Sequence, residues 1–404
     1  MPSTPMATAL IQAMLAVVIA SSPLLVFFSP DHWQLLYGIS VLILTILGAL
    51  LLMEHFQVNV VIRIVLMFLL IAVPPELSLL VNDYDEPRLP KILAVVAFYG
   101  VLGGLILHRP ADVIYRSMFA FLILTLMIST VLVLVLSVNS SDFGFVLSLR
   151  RSAFDLEEMG LHPNYGGLLA TAIAVAGCGL SSITRRIGLA AFCVFVCWLM
   201  ESRGGLLGVI AAFGIGYACR GVLGAMNREE TKRRSGGWVI GGVAAGLLLL
   251  VYGSSLTSFI SRELLLLDDA NRGLDSGFSG RSEVWREAWE QWLDYPLFGL
   301  GFMHDLELGG SEDMNRAHNL PLTLLSETGL IGLAGFVGFS LWGVAYGVRL
   351  GRQGQVTSAS YVITTISVYW IYGIFEGLSL NVGNPLSAMF FLVAFASAAS
   401  PKSA

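Results

Sequence analysis

The chain has 404 residues, 56% of them hydrophobic and only 13% charged, with a mean hydropathy of +0.77. That balance excludes an ordinary soluble protein. The formal net charge of −5 carries no nucleic-acid signal, because charges in such a chain are divided between two membrane faces. A transmembrane helix needs about 20 mostly apolar residues to cross about 30 Å of hydrocarbon. Runs of that kind fill most of the sequence and predict an all-α polytopic membrane protein.

Twelve spans are expected, near residues 9–28, 33–53, 57–73, 91–107, 113–138, 165–183, 187–200, 204–222, 237–258, 327–349, 357–375 and 379–398. Pro, Gly or charge marks the breaks: Pro74-Pro75, Arg109-Pro110, Arg185-Arg186, Gly236-Gly237 and Gly351. The first run has no basic flank and reads as a retained helix, not a cleaved signal. With the N-terminus inside, the cytoplasmic segments carry thirteen of the 23 basic residues against four acids, Glu54, Asp112, Glu229 and Glu230. Short loops rich in Lys and Arg stay inside, which places both termini in the cytoplasm. The organisation is then nine helices in 1–258, a large exterior loop in 259–326, and three helices with a cytoplasmic tail in 327–404. Cys178, Cys193, Cys197 and Cys219 all fall in apolar spans, so no disulfide framework is implied.

The span interiors are almost free of charge, whereas Glu201, Arg203, His318 and Glu376 lie at exterior helix ends. This favours a site at the outer membrane–water boundary over a mid-membrane transport path. In chain order, "DYDEPRLPK" offers Arg88 and Lys91 before the fourth span, and "HPNYGG" offers His162 and Asn164 at a helix entrance. Either could touch a phosphate, and either could equally anchor topology. "ESRGG" is a tight hairpin that leaves Arg203 at the hydrocarbon edge, paired with Glu201 or with an anionic ligand. "SGRSEVWREAWEQWLDYPLFGLG" predicts an amphipathic helix from about 280 to 294, capped by Ser279 and stopped by Pro296 and Gly299. Arg281, Trp285, Trp289 with Ala288, and Trp292 form one stripe, suited to the headgroup region. Arg281 sits at the helix N-terminus, where free N–H groups already favour an anion. Composition alone favours an arginine that pairs with lipid headgroups.

In "NRAHNLPLTLLSETG", His318 and Asn319 precede Pro321, which suits the first turn of a helix. A neutral imidazole at that mouth could accept a proton, or could simply cap the helix. A metal reading would recruit His304, Asp305, Asp268 or Asp269, whose spacing matches no ligand motif. No nucleotide-binding loop is present in the sequence.

Together "HPNYGG", "ESRGG", "SGRSEVWREAW", "YPLFGLG" and "AHNLPLTLLSETGLIG" resemble the O-antigen ligase and polymerase superfamily over about 159–349. "HPN" departs from the Asn-Pro-Asn of many members and leaves His162 without a role. The resemblance implies a C-type glycosyltransferase fold in the bacterial inner membrane, with a periplasmic active site. It implies transfer of a glycan from undecaprenyl pyrophosphate to a hydroxyl, with no cofactor and no metal. His318 would be the general base, and Arg203 and Arg281 the clamp on pyrophosphate. Lys91, Arg88, Asn319, Asn164 and Trp285 are candidates for substrate binding. Modest size and one major exterior loop resemble the lipopolysaccharide O-antigen ligase, whose acceptor is the lipid A–core oligosaccharide. A polymerase extending its own glycan, or a lipid-linked glycan flippase, is the alternative.

Overall fold

A computed structural model describes residues 58–81, 163–180, 182–200, 202–226, 281–302, 317–378 and 384–399. Among these residues all regular structure is helical. The elements are α1 (Val58–Val81), α2 (Pro163–Gly177), α3 (Ile183–Leu199), α4 (Arg203–Met226), α5 (Arg281–Asp294), α6 (Leu320–Arg352), α7 (Val356–Gly373) and α8 (Pro385–Ala399). Two stretches, Arg203–Gly224 in α4 and Leu320–Arg352 in α6, are long and apolar enough to cross a bilayer. The expected spans at 9–28, 33–53, 91–107, 113–138 and 237–258, and the Ser279 cap, lie outside the described residues.

The helices start where polar side chains can satisfy free backbone N–H groups. The Ser182 side chain accepts from Arg185 N at the head of α3, Ser202 from Gly205 N at the head of α4, and Asn319 from Leu322 N at the head of α6. Arg185 and Arg186, expected in a break between spans, therefore lie in the first turn of α3. Pro74 and Pro75, also expected as a break, sit inside α1. Both are buried where α1 packs on α6, a setting in which neighbouring helices tolerate missing backbone donors.

The bundle is held by close approach and by aromatic packing. In lipid, helix association depends on van der Waals fit because the surroundings are as apolar as the side chains. A Cβ added to Gly205 of α4 would lie 2.4 Å from the Cα of Gly167 in α2, so this pair of glycines sets the helix spacing. Between α6, α7 and α8, Phe336, Phe339, Tyr369, Phe390, Phe391 and Phe395 form a fully buried group. Tyr369 and Phe390 stack with centroids 4.1 Å apart.

One element differs most from expectation. The helix that begins at Leu320, as the Asn319-Pro321 start leads one to expect, runs into the span foreseen from 327 but breaks at Gly329, where φ is 66° and ψ is −166°. The break strips Leu330 N and Ile331 N of Ser326 O and Glu327 O, the carbonyls one helical turn earlier. The turn after α5 replaces all four groups. Leu330 N donates to Pro296 O (2.9 Å) and Ile331 N to Leu297 O (3.3 Å), while Leu300 N donates to Ser326 O (2.7 Å) and Gly301 N to Glu327 O (3.1 Å). Glu327 O also accepts from Ser78 Oγ of α1 at 2.6 Å. The fit leaves no room for side chains at the two glycines. A Cβ on Gly329 would lie 2.3 Å from the Leu297 carbonyl carbon, and one on Gly299 would lie 2.5 Å from Thr328 N. Both residues hold positive φ, +66° and +68°, which is costly for any other residue type.

Gly329→Ala or Gly299→Ala should therefore lower the yield and thermal midpoint of the detergent-purified protein. Gly338→Ala, in the same helix with no atom within 4 Å of its added Cβ, should leave both unchanged. Thermal unfolding monitored by size exclusion checks the contrast.

Candidate active site

The segment that follows α7, residues 374–378, organises the site because its carbonyls are claimed from several directions. Ile374 O accepts from Asn319 Nδ2 at 3.1 Å, and Phe375 O accepts from Arg281 Nη1 at 2.5 Å. Leu378 O accepts from Tyr369 Oη at 2.7 Å and from Ser387 Oγ at 3.3 Å. The starts of α5 and α6 thus bind neighbouring peptide units of one short turn. The start of α4 meets the same place. A Cβ on Gly204, next to Arg203, would lie 3.8 Å from Phe375 Cβ and 4.0 Å from Tyr372 Cε2. Three helix N-termini converge here, each the positive end of a helix dipole.

His318 stands at the mouth of α6 in the left-handed region, with φ at 43°. Backbone strain of this kind costs about 1–3 kcal/mol and persists only where surrounding contacts impose it. The contacts are visible on both sides. Trp285 Nε1 donates to Ala317 O at 2.7 Å, and Asn319 is held by its cap and by Ile374. Val284, Ala288 and Ala317 close a small buried cluster beneath, with Trp285 and Leu322 against it. The imidazole itself stays open, with its side chain 42% exposed.

Glu376 links the two charged partners. Its Oε1 lies 3.8 Å from Arg281 Nη2 and its Oε2 lies 3.7 Å from His318 Nδ1, with the carboxylate side chain 19% exposed. Among the described residues no three His, Cys, Asp or Glu side chains gather as a metal set.

Arg281, His318, Asn319 and Trp285 are therefore brought together, and the head of α4, which begins at the half-buried Arg203, meets the same turn through Gly204. Asn164 lies in the first turn of α2, the helix whose Gly167 packs on Ser202 and Gly205 at that same head. Arg88, Lys91, His162, Glu201 and the residues of the metal reading, His304, Asp305, Asp268 and Asp269, lie outside the described residues.

The tryptophan stripe is corrected. Trp285 and Ala288 turn toward the protein, Trp292 Nε1 donates to Pro296 O, and only Trp289 stands 46% exposed. The reason is the packing of α5 on the mouth of α6, which takes one edge of the stripe inward. Asn319, not His318, caps α6. Glu376 is the residue that motif reading left without a role. Its signal was present, since it is the sole charged residue between Arg352 and Lys402.

Residues 188–337 match the model of the family described as O-antigen ligase. Over this segment, which is less than half of the chain, the protein is similar to that family. Members of that family are integral membrane proteins, and the family implies a glycosyltransferase-like activity of the O-antigen ligase or polymerase type. No curated protein matches the chain. The ligase-family segment includes Arg203, Trp285, Arg281, His318 and Asn319, and it includes the break in α6. It ends before α7 and Glu376.

If the Asn319 side chain fixes the mouth of α6, Asn319→Ala should cost about 0.5–2 kcal/mol of stability through the lost cap. Trp285→Phe keeps an aromatic side chain but removes the bond to Ala317, and should lower transfer more than the drop in thermal midpoint expected from one lost hydrogen bond of about 0.5–1.5 kcal/mol. Parallel unfolding and activity measurements on the purified variants check both.

Proposed function

We propose that the protein transfers O-antigen polysaccharide from undecaprenyl pyrophosphate to a sugar hydroxyl of the lipid A–core oligosaccharide, at the periplasmic face of the bacterial inner membrane. The observation that carries this reading is the meeting of Arg281, His318 and the head of α4 on the single turn 374–376.

The chemistry follows from the groups present. A periplasmic enzyme has no nucleotide sugar at hand, so its donor must arrive activated, and a pyrophosphate is a good leaving group. His318 removes the proton from the acceptor hydroxyl as that oxygen attacks the anomeric carbon. The bond from carbon to the pyrophosphate oxygen breaks, and its electron pair leaves with undecaprenyl pyrophosphate. Attack opposite the leaving group inverts the anomeric centre. Arg203 and Arg281, with the three helix N-termini, hold the charge that builds on the departing phosphate. Such fixed cations act most strongly where water is excluded. This arrangement needs no metal and no cofactor. Asn319 and Trp285 hold the base in place, while Arg88, Lys91 and Asn164 are assigned to substrate positioning.

The test uses purified full-length protein with lipid-linked donor and lipid A–core acceptor. His318→Ala should lower transfer by about 10²–10⁴-fold. Arg281→Ala or Arg203→Ala should each lower it by about 10²–10³-fold. Full activity of His318→Ala would remove the base assignment, and activity lost to a chelator and restored by a divalent ion would overturn the metal-free mechanism. In cells, loss of the protein should leave long glycan on the lipid carrier. Single repeat units on a polysaccharide gel would instead assign a polymerase.

A further inference from the structure

We propose that Glu376 is a positioning residue for this transfer: it holds Arg281 until a phosphate takes its place, then stands behind Nδ1 of His318 while Nε2 faces the acceptor. The proposal rests on the general-base reading of His318.

A carboxylate at the end of an apolar helix is costly unless it is paired. Glu376 is the only charge in residues 353–401, so its partners must come from other elements. It has two of them, on α5 and at the mouth of α6, one for each oxygen. Separations of 3.8 and 3.7 Å exceed hydrogen-bond length, so the carboxylate is shared between them and committed to neither. Contacts in catalytic sites commonly tighten only once substrate is bound.

Its position explains how the sharing resolves. The carboxylate occupies the place where three helix N-termini and Arg281 favour negative charge, which is the place the donor's phosphate needs. Nη1 of Arg281 is anchored on Phe375 O, so the guanidinium keeps its place while Nη2 changes partner. A pyrophosphate arriving there takes Nη2 and repels the carboxylate, whose other partner is the imidazole. A carboxylate on Nδ1–H fixes the tautomer whose free lone pair is on Nε2. It also stabilises the imidazolium formed when the acceptor proton is taken.

The experiment is steady-state kinetics of the full-length protein with varied lipid-linked donor and saturating acceptor. Glu376→Gln should lower kcat by about 10–100-fold, the usual cost of losing a partner that orients a histidine. The donor KM should be unchanged or lower, because a competing anion has gone. A protein for which Glu376 is only structural would not show that split. Wild-type kcat in Glu376→Gln, or a loss confined to a raised donor KM, overturns the proposal. Should Glu376→Gln not fold, Glu376→Asp keeps the charge but withdraws it by one methylene. Reduced kcat without a raised donor KM supports the proposal there, and wild-type kcat overturns it. Inactive His318→Ala beside wild-type Glu376→Gln removes only the role of Glu376. Fully active His318→Ala removes the base reading itself.

Discussion

The architecture depends on an exchange of backbone hydrogen bonds at the break in α6. A helix interrupted in an apolar surrounding leaves donors and acceptors that no water can satisfy, each worth about 1–3 kcal/mol when orphaned. Here the turn 296–301 supplies two acceptors and two donors to the four groups that Gly329 releases. The exchange does more than repair the helix. It fastens the end of α5 to the middle of α6, while Trp285 and the Val284–Ala288–Ala317 cluster fasten the body of α5 to the mouth of α6. Two attachments along one short helix leave α5 little freedom to slide or rotate, and Arg281 is carried at its head.

The second constraint is electrostatic. Residues 374–378 lie where three helix N-termini meet, and side chains from α5, α6, α7 and α8 hold the carbonyls of that turn. The peptide units are thereby fixed by side chains from three other elements as well as from α7 itself. Charge near an apolar core is expensive, so it is tolerated here because each group answers another: Arg281 answers a carbonyl and a carboxylate, and Glu376 answers Arg281 and His318. The strained φ of His318 belongs to the same arrangement. With Ala317 pinned by Trp285 and Asn319 pinned by Ile374, the residue between them has little choice of backbone angle.

Much of this was legible because the relevant signals are local. The amphipathic period and the Pro296–Gly299 stop located α5 to within a residue or two. Pro321 announced a helix start beside His318, and the apolar run of α4 starts directly after Arg203. The parts that were not legible are those set by distant partners. Nothing near Gly329 says that a helix breaks there, because its satisfying groups lie some thirty residues earlier in the chain. Pro74 and Pro75 read as a break by their intrinsic preference, and packing on α6 overrides it. Glu376 stood out as a lone charge, yet its meaning needs the two side chains that the fold brings to it. The tryptophan stripe misled for a similar reason, since periodicity finds a face but not the neighbour that covers it.

The placement of the site at helix ends, and not within the bundle, fits a reaction between partners of unlike solubility. A reaction wholly in water would need no membrane helices around it, and one wholly in lipid could not present a hydrated acceptor. Beside the site, Trp289, Leu293, Tyr295 and Leu297 remain about half exposed along α5 and the turn after it. That apolar edge suits hydrocarbon and headgroups, while the 42% exposed imidazole of His318 suits an acceptor arriving from water. On the proposed reading the phosphate of the lipid carrier lies between these two surfaces, at the depth where the guanidinium of Arg281 is already held. The same exchange of hydrogen bonds that rescues a broken helix therefore sets how far the guanidinium of Arg281 stands from the imidazole of His318.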